Sequence, residues 1–201
     1  MKKVFAAILA ACAALSLALF AGCSSEPTAE DFANAKEALD NYTLEFQLSM
    51  DTGSIDSTLQ IDGDSGYLEA SMTYSGSTQS VVEYYKVESG TVYSRTASAS
   101  SWRETSSDSI EDAAFMYAGY VYALFDLDFE DFTYADGYLM ATSGTLSAIG
   151  SRFDSTISSL QVKVESGKFT EARMVGDYDG VPAEYSYTFS NYGSTSVTLP
   201  A

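Results

Sequence analysis

From Tyr42 the chain alternates: Tyr42, Leu44, Phe46, Leu48 and Met50 are separated by Thr43, Glu45, Gln47, Ser49 and Asp51. Neighbouring side chains of a strand point to opposite faces, so this spacing predicts a strand with one buried and one wet face. Ile55, Leu59 and Ile61 continue the pattern on a second strand, and Leu68, Ala70, Met72 and Tyr74 on a third. Gly53, Gly63/Gly66, Gly76 and Gly90 punctuate these runs at the rhythm of an antiparallel meander. Residues 81–87 and 91–97 flank a Ser89-Gly90 turn, and a further pair flanks Asp136-Gly137. Three or four strands end the chain, at 157–165, 168–177, 181–191 and 195–199. The expected class is mainly β, of α+β type, in one domain. "KVESG" occurs at 86–90 and again at 163–167; the preference of Ser-Gly for tight turns explains the repeat without internal duplication.

Three segments break the two-residue period. Residues 29–41 carry Phe32, Ala35 and Leu39 at helical spacing, with Thr28 as a candidate N-cap. Residues 145–152 suit a short helix. Between them, a helix is expected over about 109–125, opened by a capping box at Asp108-Ser109-Ile110-Glu111 with Asp108 as cap. Its body, "AAFMYAGYVYALF" at 113–125, has no polar stripe. A helix lying on a sheet should show one, and this stretch is too short to cross a bilayer. It must either be sandwiched between sheet and loops, with its tyrosine hydroxyls reaching water, or roof an apolar cavity. On the second view Phe115, Tyr117, Val121 and Leu124 face Leu44, Phe46, Leu48, Leu59, Ile61 and Met72. Gly119 is costly inside a helix by about 1 kcal/mol, which close packing or a bend would offset.

The N-terminus fixes the compartment. Met1-Lys2-Lys3 precedes an uncharged apolar run, residues 4–22, in the layout of a secretory signal peptide. "Phe20-Ala21-Gly22-Cys23" resembles the lipobox of bacterial lipoproteins, with Phe20 where Leu is usual. That resemblance implies cleavage before Cys23 and diacylglyceryl transfer to its sulfur. Residues 1–22 would then be a removed signal peptide, 23–29 an acylated tether and 30–201 the folded domain. Cys12 leaves with the signal, so the mature chain has no thiol for a disulfide or a Cys-ligated metal.

Composition narrows the function. Without Lys2 and Lys3, the 10 basic residues fall to 8 against 28 acidic ones, a net charge of −20. That charge repels nucleic acid and anionic headgroups, so the membrane link is expected to be acyl and not electrostatic. No histidine is present, which excludes Ser-His-Asp and Cys-His catalysis and the usual His-containing zinc sites. "Asp62-Gly63-Asp64-Ser65-Gly66" begins like a calcium loop, but Thr73 stands where that loop needs Glu. No catalytic residue, cofactor or metal is expected.

The order of elements, helix, about six antiparallel strands, helical insertion and further strands, resembles the LolA-like carriers and their LppX/LprG-type lipoprotein relatives. "VVEYYKVESGTVYSR…SWRE" (81–104) and "FSNYGSTSVTLP" (189–200) carry the local likeness. The resemblance implies a curved, unclosed antiparallel half-barrel with an N-terminal helix and one or two helices packed in its concave face. It also implies acyl chains held between sheet and helices. The expected partners are a lipid or other apolar ligand and the membrane, through the anchor. The alternative is a module that docks an envelope protein. The location would be extracytoplasmic, on the cell membrane or on an outer membrane where there is one.

Overall fold

The computed structural model describes residues 26–178 and 180–200. The signal segment, Cys23 and the first residues of the tether lie outside the described residues.

Helix α1, Ala29–Glu37, starts at Thr28 as expected. The Thr28 hydroxyl accepts the Asp31 amide at 3.1 Å, and the Asp31 carboxylate accepts the Thr28 amide at 2.9 Å. Two otherwise unpaired N–H groups are thereby satisfied reciprocally. These bonds hold the Asp31 carboxyl below its usual 3.8. Phe32 and Ala35 are the buried face, with Phe32 edge-on to Phe169 at 5.4 Å. A 3₁₀ turn, Ala38–Asp40, then delivers the chain to the first strand, so the helix stops short of residue 41.

Among the described residues, eleven strands form one curved, unclosed antiparallel sheet. The first meander is β1 (Asn41–Met50), β2 (Gly53–Asp62), β3 (Ser65–Tyr74), β4 (Ser77–Glu88), β5 (Thr91–Thr96) and β6 (Arg103–Glu104). The second is β7 (Phe132–Ala135), β8 (Tyr138–Ala141), β9 (Ile157–Glu165), β10 (Lys168–Tyr178) and β11 (Val181–Ser190). Pairing of β1 with β11 joins them, giving the order β6-β5-β4-β3-β2-β1-β11-β10-β9-β8-β7. This is the half-barrel that the resemblance implied. Both "KVESG" copies end in hairpin turns with positive φ at Ser and Gly, 55° and 78° at Ser89-Gly90 and 52° and 65° at Ser166-Gly167. That is the geometry of a type I′ turn, and turn chemistry accounts for the repeat.

Register sets the inner face. Leu44 lies opposite Leu59 and Phe189, Phe46 opposite Ser57 and Tyr187, and Leu48 opposite Ile55 and Tyr185. Leu59 in turn faces Leu68, Ser57 faces Ala70 and Ile55 faces Met72. The expected strand at 195–199 does not form: residues 192–194 are a turn and 195–200 are irregular. Strand β1 already has β2 and β11 as neighbours, so no ladder is open to it there. Side chains satisfy this backbone instead. The Thr195 amide donates to Asn41 Oδ1 at 2.9 Å, Asn41 Nδ2 donates to the Thr195 carbonyl at 2.9 Å, and the Val197 amide donates to Asp62 Oδ2 at 3.3 Å.

The helix expected over 109–125 is three separate turns: α2 (Ile110–Ala113), α3 (Phe115–Ala118) and α4 (Val121–Phe125). Its cap is Ser109, which accepts the Asp112 amide at 3.1 Å, and not Asp108. The breaks fall at Ala114 (φ −86°, ψ 3°) and at Gly119 (φ 59°, ψ −151°). The second conformation belongs essentially to glycine. Helix α5, Ser143–Phe153, contains the expected 145–152, capped by the Thr142 hydroxyl on the Thr145 amide at 3.3 Å.

Candidate functional site

The site with chemistry to explain is the inner face of the sheet and the three-turn cover, α2 to α4, laid across it. Of the residues expected to meet there, Leu44, Phe46, Leu48, Leu59, Ile61, Val121 and Leu124 are buried, between 0 and 6 % exposed. Met72 and Tyr117 are half-buried and pack against this core. Phe115 is not among them: it is 44 % exposed, beside Met116 at 54 %. The structure turns it to the far side of the cover.

Several close contacts fasten the cover. The Ser57 hydroxyl on β2 donates to the Tyr117 carbonyl. The Tyr42 hydroxyl on β1 donates to Glu111 Oε1 at 3.0 Å. Tyr120 stacks on Phe153 of α5, centroids 4.3 Å apart, and lies 5.6 Å from the Tyr185 ring. Gly119 is pressed onto the sheet so closely that a Cβ there would fall 2.8 Å from the Tyr187 hydroxyl and 2.9 Å from the Phe46 ring. On β3, Gly66 plays a similar part: a Cβ would stand 2.8 Å from Ile110 Cγ2. The turns can approach this closely because those two positions lack side chains.

Burial shapes the electrostatics. It pushes the Tyr42 hydroxyl well above its usual pKa, helped by the Glu111 carboxylate. Tyr85 is pushed up by burial and by its 2.5 Å bond to Glu83. Tyr187 is pushed up by burial and then by the neighbouring Tyr185, with the Tyr120 amide acting in the opposite sense. The Tyr187 hydroxyl is also buried with no acceptor for its proton among the described residues, an arrangement native structures seldom leave.

Tyr187, Tyr42, Ser57 and Glu111 are functional candidates that the sequence reading passed over. Tyr185 and Tyr187 alternate with Glu184, Ser186 and Thr188, so the period-two signal that found Leu44 and Phe46 extends to them. An open depression of about 400 Å³ lies on the other face, lined largely by polar groups including Glu45, Gln47, Asp56, Thr58 and Glu69. Its lining does not suit an acyl chain. Among the described residues no His, Cys, Asp and Glu side chains group as a metal site, and no helix is long and apolar enough to cross a membrane.

The sequence matches no protein-family model and no curated protein. Among solved structures, the crystal structure of LprF from Mycobacterium bovis aligns over 86 % of this chain and 95 % of its own, at 14 % identity and a TM-score of 0.36. Likeness at that level leaves the site to be argued from this chain alone.

Proposed function

We propose that the protein is a membrane-anchored bacterial lipoprotein that binds an apolar ligand, a lipid or lipoconjugate, between the sheet and its cover, without catalysis. The observation that carries this reading is the segmentation of the cover. Its turns span four or five residues each, far below the length at which a helix is stable alone. Their position therefore depends on contacts with the sheet, and an acyl chain can replace those contacts. Leu44, Phe46, Leu59 and Val121 are fully covered in this conformation, so a ligand enters as the cover moves. Burial of each methylene contributes about 0.8 kcal/mol; ten of them contribute roughly 8 kcal/mol against the cost of displacing the cover.

Cys23 supplies the anchor, and the short tether before α1 keeps the domain close to a bilayer from which an apolar ligand is drawn. Replacing Cys23 by Ala should move the protein out of the membrane fraction. Residues 24–201, expressed without the acyl group and analysed by native mass spectrometry, should carry lipid mass that Val121→Trp or Leu124→Trp removes. A folded protein that stays empty when mixed with membrane lipid would sink the reading.

One observation favours a second reading, a module that docks an envelope protein. Phe115 and Met116 are exposed side by side on α3, and aromatic and Met side chains are common interface anchors. An empty protein that captures one envelope protein, and loses it on Phe115→Ser, would favour this alternative.

A further inference from the structure

The inner face is largely apolar, and two of its hydroxyl groups share one row. Ser57 on β2 lies opposite Phe46 on β1, and Phe46 lies opposite Tyr187 on β11. The two hydroxyls thus flank one ring, and both meet the cover at the same place. The Ser57 hydroxyl is bonded to the Tyr117 carbonyl, while the Tyr187 hydroxyl lies under Gly119, two residues on. They differ in one respect: Ser57 has an acceptor, and Tyr187, 2 % exposed, has none. The Tyr120 amide bears on the Tyr187 oxygen in the sense of a donor, which leaves the hydroxyl proton still to be placed.

A buried hydroxyl that donates to nothing is destabilising, whereas Phe in its place would keep the same ring packing. A Tyr held at this position is explained when an acceptor arrives with the bound state. Gly119 supplies the means of arrival: its backbone conformation turns the cover directly above the hydroxyl, and with no side chain it can pivot there.

We propose that Tyr187 is the polar recognition point of the covered face, donating its hydroxyl to a carbonyl oxygen of an acyl ester when the α3–Gly119 segment lifts off Ser57. This rests on the lipid-binding reading above and narrows it: the ligand carries a hydrogen-bond acceptor at the head of its chains and is not a bare hydrocarbon.

The test uses the full, anchored chain purified in a non-ionic detergent. Wild type and Tyr187→Phe are loaded with dipalmitoylglycerol, which has two ester carbonyls, or with the dialkyl ether analogue, which has none. Retained lipid per protein is measured by mass spectrometry after gel filtration. Wild type should favour the ester by about tenfold, the worth of one hydrogen bond in a dry site. Tyr187→Phe should bring the ester down to the level of the ether and leave the ether unchanged. It should also fold at least as stably as wild type, because it removes an unpartnered hydroxyl. If wild type favours the ester and the variant does so equally, or if wild type takes both lipids alike, the role of Tyr187 is overturned. If wild type retains neither lipid, the lipid-binding reading itself fails and takes this inference with it.

Discussion

Alkaline titration tests whether the face under the cover is closed in solution. Tyr42, Tyr85 and Tyr187 are at most 2 % exposed, and each has a hydroxyl whose pKa is raised chiefly by burial. In the unfolded chain a tyrosine ionises at about 10. A group whose folded pKa is raised contributes its full stability below the unfolded value and loses it as pH rises beyond that value. While these three stay protonated in the fold, each removes about 1.4 kcal/mol of stability between neutrality and about pH 11, and about twice that by about pH 12. The three together remove about 4 kcal/mol and then about 8. For a domain at the lower end of the usual roughly 5–15 kcal/mol, cooperative unfolding should set in between those two pH values, and a more stable one should lose about half its margin there.

Tyrosinate absorbance, followed beside circular dichroism, reads both halves of this argument. Of the 15 tyrosines, the exposed ones should titrate near 10 while the strand signal is intact. At least three should ionise only with unfolding, and urea midpoints should fall as pH rises from about 9 to about 11. Smooth ionisation of all the tyrosines near 10, with the fold retained, would refute the reasoning, because it would mean that water reaches Tyr42, Tyr85 and Tyr187 in the native state.

Two substitutions probe the cover itself. Gly119→Ala forces a side chain into a backbone region reserved for glycine and sets its Cβ 2.8 Å from the Tyr187 hydroxyl. A loss of about 1–3 kcal/mol is expected from the backbone alone, read by urea unfolding, and a loss below about 0.5 kcal/mol would mean that Gly119 does not sit where the fold puts it. Tyr42→Phe removes the donor to Glu111 Oε1 and should cost about 1.5–3 kcal/mol, the range for a bond to a charged acceptor. Restoring stability by a second change, Glu111→Leu, would show that the unpaired carboxylate caused the loss, and no recovery would count against it.

The sheet was legible because its signal is local. The alternation through Leu44, Phe46 and Leu48 needs only the pleat of one strand, and the hairpins at Ser89-Gly90 and Ser166-Gly167 need only two backbone conformations each. The cover was less so, for a physical reason. Residues 113–125 are apolar on every side, so a helical wheel drawn on them has no phase, and nothing in the segment distinguishes the direction of Phe115 from that of Tyr117. Gly119 signalled a bend, but its φ of 59° is decided by Phe46 and Tyr187, which lie on strands far away in sequence. The tail was misread for a similar reason. Residues 195–199 have strand character, and only the sheet order shows that β1 has no vacant edge to offer them.

Sheet order also explains the apolar character of the cover. Strands β6 and β7 follow one another along the chain, yet they lie at opposite edges of eleven strands. Laid flat, those edges would be roughly 48 Å apart at the usual strand spacing, and residues 105–131 have to connect them. The connection runs across the inner face, with sheet beneath it, α5 touching it at Tyr120 and Phe153, and α1 reaching it through Lys36 Nζ, which donates to the Leu127 carbonyl at 3.0 Å. A segment enclosed from three directions has little use for a polar stripe on those sides, and only its outer side, with Phe115 and Met116, is exposed. The same path ties the cover to the sheet at both ends. Lifting it breaks side-chain contacts such as Ser57 to Tyr117 and leaves every strand pairing in place, so the face can open without the half-barrel unfolding.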